Sequence, residues 1–240
     1  MYEFEFMNQV EELFQKVHDS EKDKIRLLAE KFAENIKNDH IIHVFGTGHS
    51  HMIGIELFCR AGGLANVDAV LDPDALPNFG ARRSGALEKL TGLADIIYDR
   101  YCFRDGDILI VISNSGRNAL PIEMAMRAKK EGIYTVALTN LHQSQNTVSR
   151  HPSGLRLFEC VDLVMDNGVP DGDSLMEVGG IKTGPGSSLS SIFLLDTVVT
   201  EALKILAAEG EPLPVFASQN VDGFNNDSLY EKYESRVKHF

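Results

Sequence analysis

The 240-residue chain sets 35 acidic side chains against 23 Lys and Arg, a formal net charge of −12, with 43% hydrophobic and 24% charged residues. That composition belongs to a soluble globular chain able to bury a sizeable core, and its acidity argues against nucleic acid as a partner. The longest apolar run at a strand, Ile108 to Ile112, is far short of the roughly 20 residues of a membrane span. The opening Met1-Tyr2-Glu3-Phe4-Glu5-Phe6 lacks the basic and apolar regions of a secretory leader, so a cytoplasmic location and no membrane partner are expected. Cys59, Cys102 and Cys160 are far apart with no C-x-x-C pair, which predicts buried thiols rather than disulfides or a thiolate zinc site.

Residues 7–37 place Val10, Leu13, Phe14, Val17, Ile25, Leu28, Phe32 and Ile36 three and four apart, the spacing of an amphipathic helix. Ser20-Glu21-Lys22-Asp23 fits a capping box and interrupts that stripe, so a break or kink is expected there. Short β-branched runs then alternate with helical patterns: strands over 41–45, 65–71, 108–112, 133–138 and 162–165, and helices after the first strand through about residue 60, over 84–101 and over 118–130. Near-continuous apolar strands are buried on both faces, which with helical crossovers predicts a parallel sheet between helix layers. Residues 167–186 are rich in Gly, Asp, Pro and Ser and carry no period, and a loop that long is functional or disordered. A closing helix is expected over 187–208, while the segment from Gly210 onward gives no readable pattern. With no internal repeat and no linker, residues 1–240 are expected to form a single domain. It divides into an N-terminal helical extension (1–34), a core (35–208) and a C-terminal tail (209–240).

In open α/β sheets ligands bind at the carboxyl ends of strands, and two of the loops there stand out. The first is Gly46-Thr47-Gly48-His49-Ser50-His51, the second Ser113-Asn114-Ser115-Gly116-Arg117-Asn118. Both offer hydroxyls and backbone N–H groups at a helix N-terminus, which suits a phosphate monoester. Taken singly, each is equally well a tight turn. Arg117 adds a positive charge beside the second.

Taken together, the two loops resemble those of the SIS (sugar isomerase) domain, and Val111-Ile112-Ser113-Asn114-Ser115-Gly116-Arg117-Asn118 is similar to its Ser-x-Ser-Gly phosphosugar motif. The resemblance covers residues 35–208. It implies an α/β, three-layer αβα sandwich with a five-stranded parallel flavodoxin-like sheet, a phosphorylated sugar as ligand, and a homodimer or higher homo-oligomer. No cofactor is implied. Carried over, Ser50, Ser113, Ser115, Gly116 and Asn118 match the phosphate ligands, with Thr47 and Arg117 beside them. Within the family the chain looks closest to phosphoheptose isomerases and N-acetylmuramic acid 6-phosphate etherases. Asn118 stands where the etherase loop has Thr, and Glu88 in Gly85-Ala86-Leu87-Glu88 is similar to a catalytic etherase glutamate. Ala94-Asp95 occupies the region of the second etherase glutamate, which argues against lactyl ether cleavage. Residues 167–173 and 215–223 resemble an uncharacterised bacterial SIS-domain family.

Moving a proton between adjacent carbons needs a base near the phosphate loops, which makes Glu88, His49 and His51 the catalytic candidates. The alternatives are a solvated helix face for Glu88 and turn donors for the histidines. His43, inside a strand, reads as structural. Lys182, in the Gly-rich loop before the closing helix, pairs with substrate at a helix N-terminus or lies in a plain turn capped by Ser187. His49-x-His51 has no further ligand to complete a metal shell, so no metal is expected. The expected activity is a sugar-phosphate isomerase or related lyase. The competing readings are a non-catalytic phosphosugar sensor and a dinucleotide enzyme; the latter is suggested by Gly46-x-Gly48 and Asp68 but lacks the third glycine, whose place His51 holds.

Overall fold

The computed structural model describes residues 4–240; the opening Met1-Tyr2-Glu3 of the leader reading, and the start of the N-terminal extension with it, lie outside them. Five strands, β1 (Ile42–Gly46), β2 (Val67–Val70), β3 (Ile108–Ile112), β4 (Tyr134–Thr139) and β5 (Leu163–Asp166), form one sheet in the order β2-β1-β3-β4-β5. Every neighbouring pair is parallel. The alternation of side chains along a strand divides the core in two. Ile108, Ile110 and Ile112 of β3 pack with Leu28 and Phe32 of α1 (Glu5–Lys37) and with Leu194, Leu195 and Val198 of α7 (Ser187–Glu209). Leu109 and Val111 pack on the other face with Ala94 and Ile97 of α4 (Leu93–Tyr98) and with Leu120 and Met124 of α5 (Ala119–Lys130). This is the three-layer αβα sandwich that the strand pattern predicts.

Three elements differ from expectation. The long first helix is unbroken across residues 20–23. Glu21 lies on the buried stripe between Val17 and Ile25, is itself 4% exposed, and accepts the backbone N–H of Asp166 at 3.1 Å at the end of β5 while pairing with Lys24. The acid that interrupts the apolar pattern is therefore part of the packing face, so no cap is needed there. The helix expected over 84–101 is two short helices, α3 (Ala81–Leu87) and α4, because Gly92 turns left-handed at φ 85° between them. The patternless stretch 167–186 contains an antiparallel hairpin, β6 (Met176–Val178) with β7 (Ile181–Thr183), whose Val178 and Ile181 face solvent. Of the three cysteines only Cys160 is buried; Cys59 and Cys102 are half-exposed, with Cys59 Sγ 3.3 Å from Tyr230 Oη.

The unread tail folds back as an arm. Val215 bridges Leu64 ahead of the edge strand β2, and Phe216, Tyr233 and Val237 pack on Ile41 and Ala65. Tyr233 belongs to a short helix, α8 (Asp227–Tyr233). The arm ends on a buried ionic cluster. His43 Nδ1 is 3.2 Å from Asp68 and its Nε2 3.3 Å from Asp107, all three fully buried, and Arg236 of the arm donates to both Asp107 oxygens at 2.9 and 2.7 Å. Carboxylates only accept hydrogen bonds, so a carboxylate beside each ring nitrogen favours the imidazolium form of His43. Burial alone depresses His43, but the bonds to Asp107 and Asp68 outweigh it and raise its pKa above the ordinary value. Burial works the other way on Asp107, yet its bonds to His43 and the Ile41 N–H hold it below the carboxylate range. Two anions balance two cations, which is how a charge cluster is tolerated in an apolar interior.

Candidate active site

The strand order reverses direction between β1 and β3, and the crevice at such a switch point, outside the carboxyl ends of the strands, is where open α/β sheets bind ligands. A cavity of about 170 Å³ opens there. It is lined by His49 and Ser50 from the loop after β1, Asn114 from the loop after β3, Asn167 after β5, and Asp173, Ser187, Ser188 and Ser191 around the start of α7. Larger cavities of about 260 and 430 Å³ border Val67 at the amino end of β2 and Asp39 ahead of β1, away from this edge. No Lys or Arg lines the switch-point cavity; its walls are hydroxyls, amides, one imidazole and one carboxylate, with Ile53 and Ile112 as an apolar side.

The loop after β3 wraps the start of α5. Leu157 donates to Gly116 O at 2.8 Å and Arg150 to Arg117 O at 2.8 Å, while Asn140 donates to Asn114 O at 3.1 Å, so every turn of the loop is held from outside. Gly116 is needed for close approach: a Cβ there would lie 2.7 Å from Ser144 Oγ and 3.3 Å from Leu157 Cβ. Ser113 Oγ accepts the Gly116 N–H at 3.3 Å, which leaves its own proton free to donate. The backbone N–H groups of Asn114, Ser115 and Arg117 have no hydrogen-bond partner among the described residues. Unpaired N–H groups in a loop leading into a helix N-terminus form an anion-binding nest.

The structure brings Ser50, Ser113, Ser115 and Gly116 to this edge of the sheet and gives the remaining predicted residues other surroundings. Asn118 is 8% exposed and its side chain is engaged at both ends, donating to Glu88 Oε1 at 2.8 Å and accepting from Arg150 at 3.0 Å. Glu88 sits at the end of α3, not on a long amphipathic helix, and stands behind Asn118 rather than on the cavity wall. Arg117 turns its Nε to Val148 O at 3.0 Å. His51 is buried and bonds back through Nδ1 to Gly48 O, fastening its own loop, and Thr47 is buried beside it. His49 is exposed and lines the cavity. Lys182 lies on the exposed hairpin opposite Glu177 and is not among the lining residues.

Sequence reasoning missed Asp173 as a site residue. Its carboxylate accepts the N–H groups of Gly186 and Ser187 at 2.9 and 2.6 Å and the Ser187 hydroxyl at 2.6 Å. The positive end of α7 is thus already neutralised by the chain's own anion. The signal was faint: Ser187 stood out as a cap, but the acid that serves it is 14 residues earlier. Replacing Asp173 with Ala is expected to cost about 1–2 kcal/mol of stability through loss of the cap and its charge. Denaturant unfolding reads it, and an unchanged midpoint would show that water serves those donors equally well.

Among the described residues no helix is long and apolar enough to cross a membrane, and no group of three or more His, Cys, Asp or Glu is placed to hold a metal. The model of the SIS domain matches residues 5–140. UPF0309 proteins of Caldanaerobacter subterraneus subsp. tengcongensis and Halalkalibacterium halodurans are each 36% identical, over 98% of both chains for the first and 97% of this chain and 94% of the other for the second. Solved structures share the fold at lower identity. A phosphoheptose isomerase from Francisella tularensis aligns with TM-score 0.54 at 14% identity, over 83% of this chain and 95% of that one. The Vibrio vulnificus NanR protein complexed with ManNAc-6P aligns with TM-score 0.52 at 18% identity, over 96% of this chain and 66% of that one. The sheet order, the hydroxyl-rich loop after β3 and these matches agree that the chain belongs to the SIS domain family, among its UPF0309 proteins.

Proposed function

We propose that this chain binds a phosphorylated sugar at the switch-point cavity and acts on it as a sugar-phosphate isomerase of the phosphoheptose or amino-sugar-phosphate type, or as a related lyase. The observation that carries this reading is the loop 113–118. Its unpaired N–H groups and the Ser113 and Ser115 hydroxyls offer an anion neutral donors, next to a small cavity lined mainly by hydroxyls and amides. Neutral donors at a helix N-terminus suit a phosphate, and hydroxyls and amides suit a polyol. Two proteins of the same fold support it by what their names say: one is a phosphoheptose isomerase, the other is complexed with ManNAc-6P. His49, the imidazole on the cavity wall, is the residue best placed to carry a proton between adjacent carbons, while Glu88 holds the Asn118 amide from behind. The exposed Met52 and Ile55 of α2 (His51–Leu57) and Leu189 of α7 border the cavity residues His49, Ser50 and Ser188 and suit a homodimer contact.

A non-catalytic sensor is the second reading, favoured by the engagement of Glu88 with Asn118 away from the cavity wall. Thermal unfolding with sugar 6- and 7-phosphates, free sugars, inorganic phosphate and NAD tests the binding. At a hundredfold excess over Kd a ligand adds about 2.7 kcal/mol. The expected result is a raised midpoint with one sugar phosphate, lost in Ser115→Ala and absent with NAD. A shift with NAD alone would overturn the reading, and binding without turnover would favour the sensor.

A further inference from the structure

Two linked hydrogen bonds at the cavity floor, joining Val169, Asn167 and Asn114, have a fixed direction. The backbone N–H of Val169 points at Asn167 Oδ1 at 3.4 Å, and a backbone N–H can only donate. That end of the Asn167 amide is therefore its oxygen. Its other end, Nδ2, donates to Asn114 Oδ1 at 3.0 Å. The backbone on either side is pinned: Asn167 N–H donates to Thr139 O at 2.9 Å, Ser190 Oγ donates to Asn167 O at 2.6 Å, and Asn114 O accepts from Asn140 N–H and Thr139 Oγ1. Asn167 is 1% exposed, so water does not compete for its amide. Asn114 is half-buried, lines the cavity, and its Nδ2 has no partner among the described residues.

We infer that Asn167 is a positioning residue that fixes the sense of the Asn114 amide, so that the cavity wall at Asn114 presents an N–H₂ donor and never an acceptor. An unconstrained asparagine offers either end to a ligand by turning over. Here turning Asn114 would set its N–H₂ against that of Asn167, and turning both would set the Asn167 N–H₂ against the Val169 N–H. The site thereby selects a ligand with a hydrogen-free oxygen at this point, a carbonyl or phosphoryl oxygen, over one with a hydroxyl that must donate. A ligand that leaves this donor without an acceptor is expected to bind about tenfold more weakly. The inference rests on the phosphosugar reading for the identity of the ligand, but not for the direction of the chain of bonds.

The test separates the two. In protein labelled with 15N at asparagine, the Asn167 side-chain protons are expected to exchange slowly with solvent and those of Asn114 quickly, with no ligand added. Slow exchange at Asn114, or fast exchange at Asn167, would overturn the relay whether or not any sugar binds. The second arm is Asn167→Asp, which keeps the Val169 contact but offers Asn114 only an acceptor. The Asn114 amide must then turn its oxygen to the cavity. The affinity for the sugar phosphate found in the panel, or for inorganic phosphate, is expected to fall about tenfold at pH 8. It should recover as pH falls and the new carboxyl gains a proton, because a protonated carboxyl can again donate to Asn114. A purely structural role would give a pH-independent loss of affinity together with a lower Tm. Unchanged affinity and an unchanged pH profile in the variant would also overturn the relay. Wild-type protein that binds neither sugar phosphate nor phosphate would overturn the phosphosugar reading, and the exchange rates would still decide the relay.

Discussion

Replacing Arg236 with Leu is expected to lower folding stability by about 3–5 kcal/mol, the usual cost of removing one partner from a buried ion cluster. Arg236 supplies one of the two positive charges that balance Asp68 and Asp107 beneath the C-terminal arm, and it is itself only 10% exposed at the side chain. Without it two buried carboxylates share one imidazolium, and the arm loses the bond that fastens it. Amide exchange over residues 210–240 should rise in the variant well beyond the rest of the sheet, because the arm is held by this cluster and by the small apolar contact of Phe216, Tyr233 and Val237. A loss of less than about 1 kcal/mol would show that the arm is held by its apolar and backbone contacts without the Arg236 pair.

The same cluster gives the protein a pH profile whose sign follows from the two shifts. The pKa of His43 is raised on folding, so its contribution is complete below the unfolded value of about 6.5 and disappears as pH rises through the folded value above it. The pKa of Asp107 is lowered, so its contribution is complete above about 3.9 and disappears as pH falls through the folded value below it. The cluster is therefore at full strength between about pH 4 and 6.5, with an acid limb set by Asp107 and an alkaline limb set by His43. Unfolding midpoints across pH 3–9 read both limbs. His43→Gln, which cannot titrate, should lose the alkaline limb.

Local pattern carried the parts of this fold that depend on local pattern. The apolar run Ile108 to Ile112 announces a strand buried on both faces, and the Ser-x-Ser-Gly loop after it announces the anion nest. What the pattern hid is held by partners far along the chain. Glu21 reads as a break because its partner, the Asp166 N–H, is 145 residues away. His43 reads as structural, but the charges that define its state come from Asp68, Asp107 and Arg236 on separate segments. The site divides in the same way: Ser50, Ser113 and Ser115 sit in recognisable loops, whereas Asp173 and Asn167 are ordinary residues until folding sets them against Ser187 and Asn114. Asn118 resembles a ligand in sequence, yet two side chains brought in by folding, Glu88 and Arg150, take both ends of its amide.

Gly46→Ala is expected to abolish ligand binding while costing about 1–3 kcal/mol of stability, the range for overpacking a close contact. Gly46 is the last residue of β1, paired with Ile112 of β3 at the cavity edge. A Cβ built on it lies 2.6 Å from the carbonyl carbon and oxygen of Ser50 and 2.9 Å from the His51 nitrogen. These are backbone atoms at the entry to α2, so no flexible side chain can move aside; the turn that carries His49 and Ser50 must shift outward as a body. A displacement approaching 1 Å in a positioning group is enough to cost about a hundredfold in function, a loss much larger than the stability change. Gly48→Ala is the matched control. Gly48 has φ +56° and no heavy atom within 4 Å of the added methyl, so the substitution costs about 1–2 kcal/mol of backbone strain without pushing on the turn. Ligand-induced shifts in Tm for the two variants therefore separate strain from displacement. Binding lost in Gly46→Ala and kept in Gly48→Ala places the ligand against the His49–Ser50 turn. Binding kept in both would remove that turn from the site and leave the loop 113–118 to hold the anion without it.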